Sequence, residues 1–384
     1  MHLHFVQSLE PLQGAGLGQA ALSLHLAMQA AGAGSKLLST RSSDFAQTWP
    51  DVIQGVRRAP ARAFYAPELK RLAADAVAGA EWFHGHGLYV WTNMWLGGEA
   101  RRRGRPLVYH PHGFFDPWIL RRSKKKKQLA HWLFEDRNFS HVRWWRALSA
   151  KEADQIRAVV GKQAKIEVIP NGVDLAECDS AGVKSNDEES PSACPSAWTT
   201  RKRPKRLLFL SRIHPKKGLD LLVPAWGRLV GEFPDWELLI VGPDEGGYRA
   251  KVERMISETG GGDACRICGT VAGAEKHALL RTADMFVLPS YSEGFPMAVL
   301  EAAAHRVPAV QTSECNFPEL TAAGGAWECL PESGDLERAL RQALAADDAE
   351  RRERGSAARN LIETRYTWGR LAADLQGLCS SRSV

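Results

Sequence analysis

The stretch MFVLPSYSEGFPMAVLEAAA, residues 285–304, joins a strongly apolar segment to an alanine-rich segment through a short loop. Its first four residues are large and apolar, which predicts a short buried strand. The loop contains Gly294 and Pro296. Because proline is favoured in the first turn of a helix, a helix is predicted to begin near Pro296. A strand, a tight loop and a helix in this order form the repeating unit of an open α/β fold.

Two carboxylates lie on either side of the turn at Gly294. Glu293 is in the loop, and Glu301 is about a turn and a half inside the predicted helix. The N-terminus of a helix offers free N–H groups and a partial positive charge, and phosphate is its usual ligand. The two carboxylates are too far apart to act as a pair, so we expect them to bind opposite ends of an extended ligand. A nucleotide sugar has this form, with hydroxyl groups at both ends and phosphates between them.

Other parts of the chain repeat the α/β unit, with short apolar segments that end in His-Gly or Asn-Gly before residue 175 and further units after residue 206. The intervening residues 176–205 are polar, rich in Ser and Pro and aperiodic, which predicts a flexible linker. We therefore predict an α/β protein with two Rossmann-like domains, residues 1–175 and 206–365.

A pair of cations lies in a second loop of this kind. The segment SRIHPKKGLD, residues 211–220, follows a predicted strand and contains Arg212 and Lys217. Arginine binds phosphate oxygens through two parallel hydrogen bonds, and lysine supplies a mobile point charge. A lone Lys or Arg is more often a solvated surface charge, but anion sites form at strand-to-helix loops that end in glycine. No Asp-x-Asp pair follows a strand, so no divalent cation is predicted.

Composition excludes several other classes of function. The net charge is +6, and no nucleic-acid-binding motif is present, so no nucleic-acid partner is predicted. No apolar run reaches the ~20 residues that span a membrane, and the N-terminus does not resemble a signal peptide. The seven cysteines are scattered, without a second pair at zinc-site spacing. A cytoplasmic protein without a metal is therefore predicted.

Taken together, these segments resemble the retaining GT-B glycosyltransferases of glycosyltransferase family 4. The resemblance covers most of the chain and is strongest in four segments: SRIHPKKGLD (211–220), GPDEGGY (242–248), residues 269–302 and CNFPEL (315–320). It implies two Rossmann-like domains facing each other across a cleft. The C-terminal domain is then expected to bind the nucleotide sugar and the N-terminal domain the acceptor. The last helix, residues 366–384, is expected to return to the N-terminal domain.

The resemblance also assigns roles to residues of the second domain. It implies that Glu301 binds the ribose, that Glu293 binds hydroxyls of the transferred sugar, and that Arg212 and Lys217 bind the diphosphate. The remaining donor-binding positions that it implies are the backbone at Gly294, Phe295, Pro296 and Met297, beside the sugar and the distal phosphate, and Thr270 and Val271, beside the base.

In the first domain, the resemblance places a glycine-rich loop, GAGLG (Gly14, Gly16 and Gly18), near the donor phosphates and the acceptor. A dinucleotide site needs an acidic residue about 20 positions further on. None occurs before Asp44, so NAD binding is not expected. The segment YHPHGFFDPW, residues 109–118, matches the family's His-Gly loop. It implies that His112 contacts the reacting sugar.

His86 and Asp116 are further candidates for acceptor binding. His86 ends another predicted strand in a His-Gly sequence, and Asp116 follows His112 in the same loop. A lone histidine is more often structural than functional. His86 and His112 are nevertheless candidates because ligands of parallel sheets bind beyond the carboxyl ends of the strands.

The expected reaction is transfer of a sugar from a donor such as GDP- or UDP-hexose, without a cofactor. Retention by double displacement needs a carboxylate nucleophile beneath the anomeric carbon. The family resemblance assigns no such residue, which favours front-face attack. The family context implies a glycan or lipid-linked acceptor in exopolysaccharide or lipopolysaccharide synthesis. A sucrose- or glycogen-type synthase with a soluble acceptor, and a non-catalytic nucleotide-sugar-binding protein, remain alternatives.

The charge of the chain is concentrated around the His112 loop. Residues 101–127 contain ten Lys or Arg and a single acid. Residues 121–134 are predicted to form a helix with a basic start and an apolar side, which suits docking to an anionic membrane. A solvated basic face over a buried apolar side is the alternative. Cytoplasmic localisation, with peripheral binding to the inner membrane face, is the corresponding expectation.

Overall fold

The protein was analysed as a computed structural model that describes residues 1–58, 65–117, 120, 135–180 and 204–380, with only the backbone described at residues 11–15, Trp91, Ser180 and Asp263. The chain forms two compact units. The first consists of Met1–Gly172 together with the helix that begins at Trp368, and the second of Val173–Thr367. Most of the predicted linker lies outside the described residues, but its first residues belong to the helix Leu175–Ser180.

The first unit contains a parallel sheet of seven strands in the order β3-β2-β1-β4-β5-β6-β7. Its strands are β1 His2–Ser8, β2 Ser35–Arg41, β3 Val52–Val56, β4 Trp82–His86, β5 Leu107–His110, β6 Val142–Ala147 and β7 Ile166–Val168. Its described helices are α1 Pro11–Ala30, α2 Leu69–Leu72, α3 Ala74–Ala78, α4 Trp91–Arg102, α5 Asp136–Phe139, α6 Ala150–Val160 and, from the end of the chain, Trp368–Ser380.

The C-terminal helix Trp368–Ser380 packs within the first unit. Its Leu371 and Leu375 share a buried apolar cluster with Leu24 of α1, Trp82 of β4 and Trp144 of β6. Side chains on alternate residues of a strand lie on the same face of the sheet. The helix therefore covers, with α1, the sheet face that carries the even-numbered residues of β4 and β6.

The predicted glycine-rich loop is not a loop. Gly14, Gly16 and Gly18 lie in the first turns of α1, which begins at Pro11. A Cβ atom at Gly18 would approach the Ser8 carbonyl oxygen to 2.4 Å, whereas a Cβ at Gly16 would meet no atom within 4 Å. Gly18 is therefore required for close packing of the helix against the end of β1. The prediction was wrong because a glycine-rich pattern does not distinguish a turn from close helix packing.

The second unit contains a parallel sheet of six strands in the order β10-β9-β8-β11-β12-β13. The strands are β8 Lys205–Leu210, β9 Trp236–Val241, β10 Cys265–Cys268, β11 Met285–Leu288, β12 Ala309–Thr312 and β13 Ala326–Cys329. The α-helices are α7 Leu175–Ser180, α8 Leu219–Leu229, α9 Arg249–Glu258, α10 Gly273–Arg281, α11 Met297–Ala304, α12 Pro318–Ala322, α13 Ser333–Ala345 and α14 Asp348–Arg365, with α15 Trp368–Ser380 following in the first unit.

In both sheets, the direction in which successive strands are added reverses beside the first strand. The chain adds strands on one side of β1 and then returns to the other side at β4, and the same change occurs between β8 and β11. In open α/β sheets, ligands bind beyond the carboxyl ends of the strands at this point. The topology therefore directs attention to the residues after β1 and β4 in the first unit and after β8 and β11 in the second. His112 follows the neighbouring strand β5.

A buried carboxyl group of the first unit makes its stability dependent on pH. Glu135 is fully buried, and burial raises its pKa to about 7, although the Tyr89 N–H donates a hydrogen bond of 3.1 Å to its Oε1 atom. A carboxyl with a raised pKa holds its proton in the folded state after the unfolded chain has lost it. Its contribution to stability is therefore complete below the unfolded pKa and is lost as the pH rises through about 7.

Glu135→Gln removes this titration. We expect the variant to gain about 2 kcal/mol over the wild type between about pH 5.5 and about pH 8, because the buried carboxylate must ionise only in the wild type. Thermal unfolding of both proteins at the two pH values measures the difference. A variant whose advantage is the same at both pH values would show that Glu135 ionises normally.

Candidate active site

A buried ion pair joins the two loops that follow β8 and β11. The Lys217 Nζ atom lies 2.6 Å from Glu293 Oε1, and the side chains are 10% and 11% exposed. The Ser290 hydroxyl donates to the same carboxylate oxygen at 2.5 Å. The family resemblance implies that the lysine binds phosphate and that the glutamate binds the sugar. The structure shows that they also bind each other.

Close backbone packing holds these two loops together. Gly218, directly after the lysine, has a φ of 70°, and a Cβ atom there would approach the Pro289 carbonyl oxygen to 1.9 Å. No other residue type fits this contact without a shift of the backbone. The Tyr291 N–H donates to the Lys216 carbonyl at 2.9 Å on the other side of the contact. Contacts of its two neighbours in the chain, Lys216 and Gly218, therefore hold the backbone of Lys217 in position.

A third segment, after β12, orients Glu293. The Glu293 N–H donates to the Glu314 carbonyl at 2.9 Å, and the Asn316 side-chain amide donates to the Glu293 carbonyl. The Thr312 hydroxyl donates to the Ser290 carbonyl at 2.6 Å. Asn316 has a φ of 58°, in the left-handed region that asparagine tolerates better than most residues. Residues 312–316, which overlap the segment CNFPEL at Cys315 and Asn316, thus hold the backbone of the Glu293 loop.

Glu301 lies on the fifth residue of α11, as the sequence predicts, and its carboxylate is 20% exposed. Lys276 of α10 donates to its Oε1 atom at 2.9 Å. Of the predicted backbone donors at residues 294–297, the Met297 N–H already donates to the Phe295 carbonyl at 3.1 Å. The Val299 N–H donates to the Pro296 carbonyl at 3.0 Å, so two N–H groups in the first turn of α11 already have partners, and Pro296 has no N–H to offer.

Two of the remaining predicted donor residues, Arg212 and Thr270, are more exposed. Arg212 forms an ion pair with Glu245, in which the two side chains are 50% and 46% exposed. Thr270 and Val271 lie between β10 and α10, where the threonine is exposed and the valine is buried. Arg212 can turn toward a ligand at small cost, because an exposed ion pair contributes little to stability.

The first unit holds His112 in an unusual backbone conformation. His112 and Gly113 both have positive φ, of 54° and 80°. Positive φ is rare outside glycine and asparagine, and it persists where the surroundings enforce it. The Gly113 N–H donates to the buried Glu152 Oε1 at 2.5 Å, and the Leu148 N–H donates to Oε2 at 2.7 Å. Glu152 therefore fixes the turn that presents His112.

His112 and His86 contact each other, with His86 Nδ1 and His112 Nε2 separated by 3.1 Å. Burial lowers the pKa of His112 to about 3 and that of His86 well below its usual value. Both rings are therefore neutral near pH 7 and can donate or accept hydrogen bonds. Asp116 is also buried and caps the same turn, since its N–H donates to the Gly113 carbonyl at 3.0 Å.

Several supporting residues were not predicted from the sequence. Lys276 and Glu152 lie in ordinary helical segments and carry no local signal. Arg146 on β6 is fully buried and lies beside His110, with a guanidinium-to-ring distance of 3.4 Å. The three H-x-H pairs at residues 2–4, 84–86 and 110–112 did offer a signal, because alternate strand residues share a face.

Comparisons with known proteins agree with this architecture. The family described as Glycosyltransferase Family 4 matches residues 15–177, and the family described as Glycosyl transferases group 1 matches residues 195–361. The chain belongs to glycosyltransferase family 4. The first match contains His86 and His112, and the second contains Lys217, Glu293 and Glu301.

The resemblance drawn from the sequence is thereby confirmed, and so is the GT-B fold with its two Rossmann-like parallel-sheet domains. Among solved structures, HepE from Anabaena in complex with UDP and glucose has the same fold, with a TM-score of 0.74, 18% identity and 99% of each chain covered. In the part of the chain that the structure describes, none of the helices is long and apolar enough to cross a membrane.

The chain is also similar to two curated proteins. It is 28% identical over 249 residues to D-inositol 3-phosphate glycosyltransferase of Actinosynnema mirum. This match covers 61% of this chain and 58% of the relative. The chain is also 33% identical over 151 residues to the putative colanic acid biosynthesis glycosyltransferase WcaL of Escherichia coli. This match covers 37% of the chain and 36% of the relative. The chain thus spans less than two thirds of the length of either relative.

Proposed function

We propose that this protein transfers a hexose from a nucleoside diphosphate sugar to a glycan or lipid-linked acceptor, with retention of configuration. The observation that carries the proposal is the buried Lys217–Glu293 pair at the carboxyl ends of β8 and β11. A lysine suited to phosphate and a carboxylate suited to sugar hydroxyls lie next to each other, at the position where such sheets bind ligands. The complex of HepE with UDP and glucose supports this class of donor.

In the proposed reaction, the bond between the anomeric carbon and the distal phosphate oxygen breaks. The acceptor hydroxyl oxygen forms its bond on the same face, and its proton passes to the departing phosphate oxygen. Lys217 and Arg212 stabilise the charge of the leaving diphosphate, and Glu293 stabilises the positive charge that develops on the sugar. The protein contributes fixed charges and positioning. No step of this sequence uses a metal ion.

The proposal is tested with a panel of UDP- and GDP-hexoses in the presence of EDTA. A donor at 100 times its Kd stabilises the protein by about 2.7 kcal/mol, which raises the melting temperature of a unit this size by roughly 5–10 °C. We expect one donor class to do so and to release nucleoside diphosphate when an acceptor is added. If no donor stabilises the protein, the proposal is wrong. Loss of transfer in EDTA, restored by manganese or magnesium, would contradict the metal-free mechanism.

We propose further that the acceptor belongs to a cell-envelope polysaccharide such as an exopolysaccharide or lipopolysaccharide. The support is the likeness to WcaL, whose name refers to colanic acid biosynthesis. Transfer to a lipid-linked glycan, measured against transfer to soluble sugars, separates this proposal from a sucrose- or glycogen-type synthase. A protein that binds the donor and transfers to neither acceptor class would be a nucleotide-sugar-binding protein.

Docking to an anionic inner-membrane surface is the corresponding proposal for residues 121–134, which lie outside the described residues. Replacing the four lysines at 124–127 with serine is expected to weaken binding to anionic vesicles about a thousandfold or more, because each basic residue contributes about 1 kcal/mol. Vesicle sedimentation at low and high salt measures the effect, and salt should weaken only the wild type strongly. If the wild-type protein does not bind anionic vesicles at low salt, residues 121–134 form only a solvated basic face.

A further inference from the structure

Six histidines of the first unit form one continuous array on one face of its sheet. They occur as three H-x-H pairs on neighbouring strands, and within each pair the two rings share a face of the sheet. The array consists of His2 and His4 on β1, His84 and His86 on β4, and His110 and His112 at the end of β5. Only His86 and His112 were predicted to be functional, so the array goes beyond the proposed reaction.

The rings are linked by hydrogen bonds in two diagonal rows. In the first row, His2 Nδ1 lies 3.0 Å from His84 Nε2, and His84 Nδ1 lies 3.1 Å from His110 Nε2. In the second row, His4 and His86 are joined at 3.1 Å, and His86 and His112 also at 3.1 Å. Rings of different rows stack on each other, His4 on His84 at 4.3 Å between ring centroids.

The first row has a charged end and an open end. At the charged end, Arg146 lies 3.4 Å from His110 Nδ1, and its other nitrogens donate to the Ile169 carbonyl at 2.7 Å and the Asn171 side chain at 3.1 Å. At the other end, His2 is half-buried, so this end reaches the solvent. The two ends therefore offer very different electrostatic surroundings to a cation.

The C-terminal helix α15 adds a sulfur atom to the open end. Cys379 is 2% exposed and lies in the same buried cluster as Trp82 and Leu24. Ligand atoms of His2, His84 and Cys379 all lie within 4.8 Å of one another. We propose that these three residues form a binding site for a thiophilic divalent cation, with Zn²⁺ as the preferred ion.

The distance between the two nitrogen ligands is close to that of a zinc site. Zn–N bonds of about 2.0–2.1 Å and Zn–S bonds of about 2.3 Å place the ligand atoms of a tetrahedral site roughly 3.3–3.6 Å apart. The separation of 3.0 Å between His2 Nδ1 and His84 Nε2 is already close to this value. The ion would replace the proton that these two nitrogens share. Because His2 reaches the solvent, water can supply the fourth ligand.

The chemistry of the donor set also favours zinc. Imidazole nitrogen and thiolate sulfur are the ligands that Zn²⁺ prefers, whereas Mg²⁺ and Ca²⁺ prefer oxygen. A bound ion would ionise the Cys379 thiol, and the thiolate would offset one of its two charges.

Charge distinguishes this site from the two other groups of His and Cys in the described residues. His86, His110 and His112 have suitable spacing, but the group lacks a negative ligand and lies beside the Arg146 guanidinium. Cys178, His277 and His305 in the second unit also have suitable spacing and include a thiol, but three cations, Lys276, Arg281 and Arg359, lie near them. Lys276 is paired with Glu301, and Arg359 with Asp179. The group at Cys379 can supply a thiolate, and Arg146 is separated from His2 by two imidazoles. The cation near His2 is the Met1 ammonium, which is paired with Glu81 Oε2 at 3.1 Å.

Metal binding would weaken one contact of the first histidine row. A metal on His84 Nε2 moves the ring proton to Nδ1, and the donor direction along the row then reverses as far as His110. The contact that suffers is the one between His110 and Arg146, which at 3.4 Å is the longest of the row. Arg146 keeps its bonds to Ile169, Pro170 and Asn171. The ion would join α15 to β1 and β4 in the folded first unit and so stabilise it.

The test uses Co²⁺ as a spectroscopic substitute for Zn²⁺ in the full chain after removal of metals with a chelator. We expect about one equivalent of Co²⁺ to produce visible bands of a four-coordinate ion and a near-ultraviolet sulfur-to-metal band. Cys379→Ser should abolish the sulfur band and weaken Co²⁺ binding at least tenfold. Cys178→Ser, the matched control in the second unit, should keep both. Zn²⁺ should displace Co²⁺, and Mg²⁺ should not.

Each other outcome overturns the proposal. Loss of the sulfur band in Cys178→Ser with retention in Cys379→Ser would assign the site to the second unit. Visible bands without a sulfur band would assign it to an all-histidine group. No binding by wild-type protein would exclude the site outright. Folding of the variants is checked by their melting temperatures without metal, and Zn²⁺ should raise the melting temperature of Cys178→Ser but not of Cys379→Ser.

Discussion

Glu293→Gln is expected to lower kcat by a factor of about 10²–10³ and to leave the affinity for nucleoside diphosphate within about twofold. A carboxylate beside the sugar interacts more strongly as positive charge develops on the ring, so its loss is felt mainly in the transition state. Free nucleoside diphosphate lacks the sugar and does not need this contact. The glutamine retains the shape of the side chain and its capacity to accept a hydrogen bond from Lys217.

Glu301→Gln, on the helix that follows the Glu293 loop, is the matched comparison. A ribose contact is equally strong in the ground state and the transition state, so its loss should raise KM by about tenfold or more and change kcat little. Affinity for free nucleotide should fall by the same factor. Isothermal titration with nucleoside diphosphate and donor kinetics on both variants measure the two effects. The reverse pattern, with nucleotide affinity lost only in Glu293→Gln, would mean that the donor binds in the opposite direction.

Lys217→Met is expected to reduce kcat/KM by about 10³-fold and to weaken nucleoside diphosphate binding, because the variant loses the buried cation beside the leaving group. It should also destabilise the second unit by about 3 kcal/mol, since Glu293 is left as an unpaired buried carboxylate. Activity and stability thus fall together in this variant. They fall for different reasons, which a double variant can separate.

In the double variant Lys217→Met/Glu293→Gln, no buried charge remains unpaired. We expect most of the lost stability to return, while activity stays as low as in either single variant or lower. Arg212→Gln is the control, because its exposed ion pair with Glu245 contributes at most about 1 kcal/mol to stability. It should reduce activity without changing the melting temperature. Recovery of activity in the double variant would show that the ion pair has only a structural role.

The sequence by itself determined the class of fold and the main chemical groups of the second unit. Apolar runs followed by Gly- and Pro-containing loops predict the strands and helices of an α/β fold, because this periodicity arises from local burial. The loop with Glu293 and the start of α11 with Glu301 were predicted for the same reason. The same local patterns failed at GAGLG, where the close approach of α1 to Ser8 requires Gly18.

Tertiary structure decided which of these groups meet. Lys217 and Glu293 are 76 residues apart, and Gly113 and Glu152 are 39 apart, yet each pair forms a hydrogen bond. In parallel sheets, loops from distant parts of the chain converge at the carboxyl ends of neighbouring strands. Strand order decides the neighbours, and local sequence does not reveal that order. The meeting of His2, His84 and Cys379 has the same cause, because β1, β4 and the last helix become neighbours only through packing of the whole first unit.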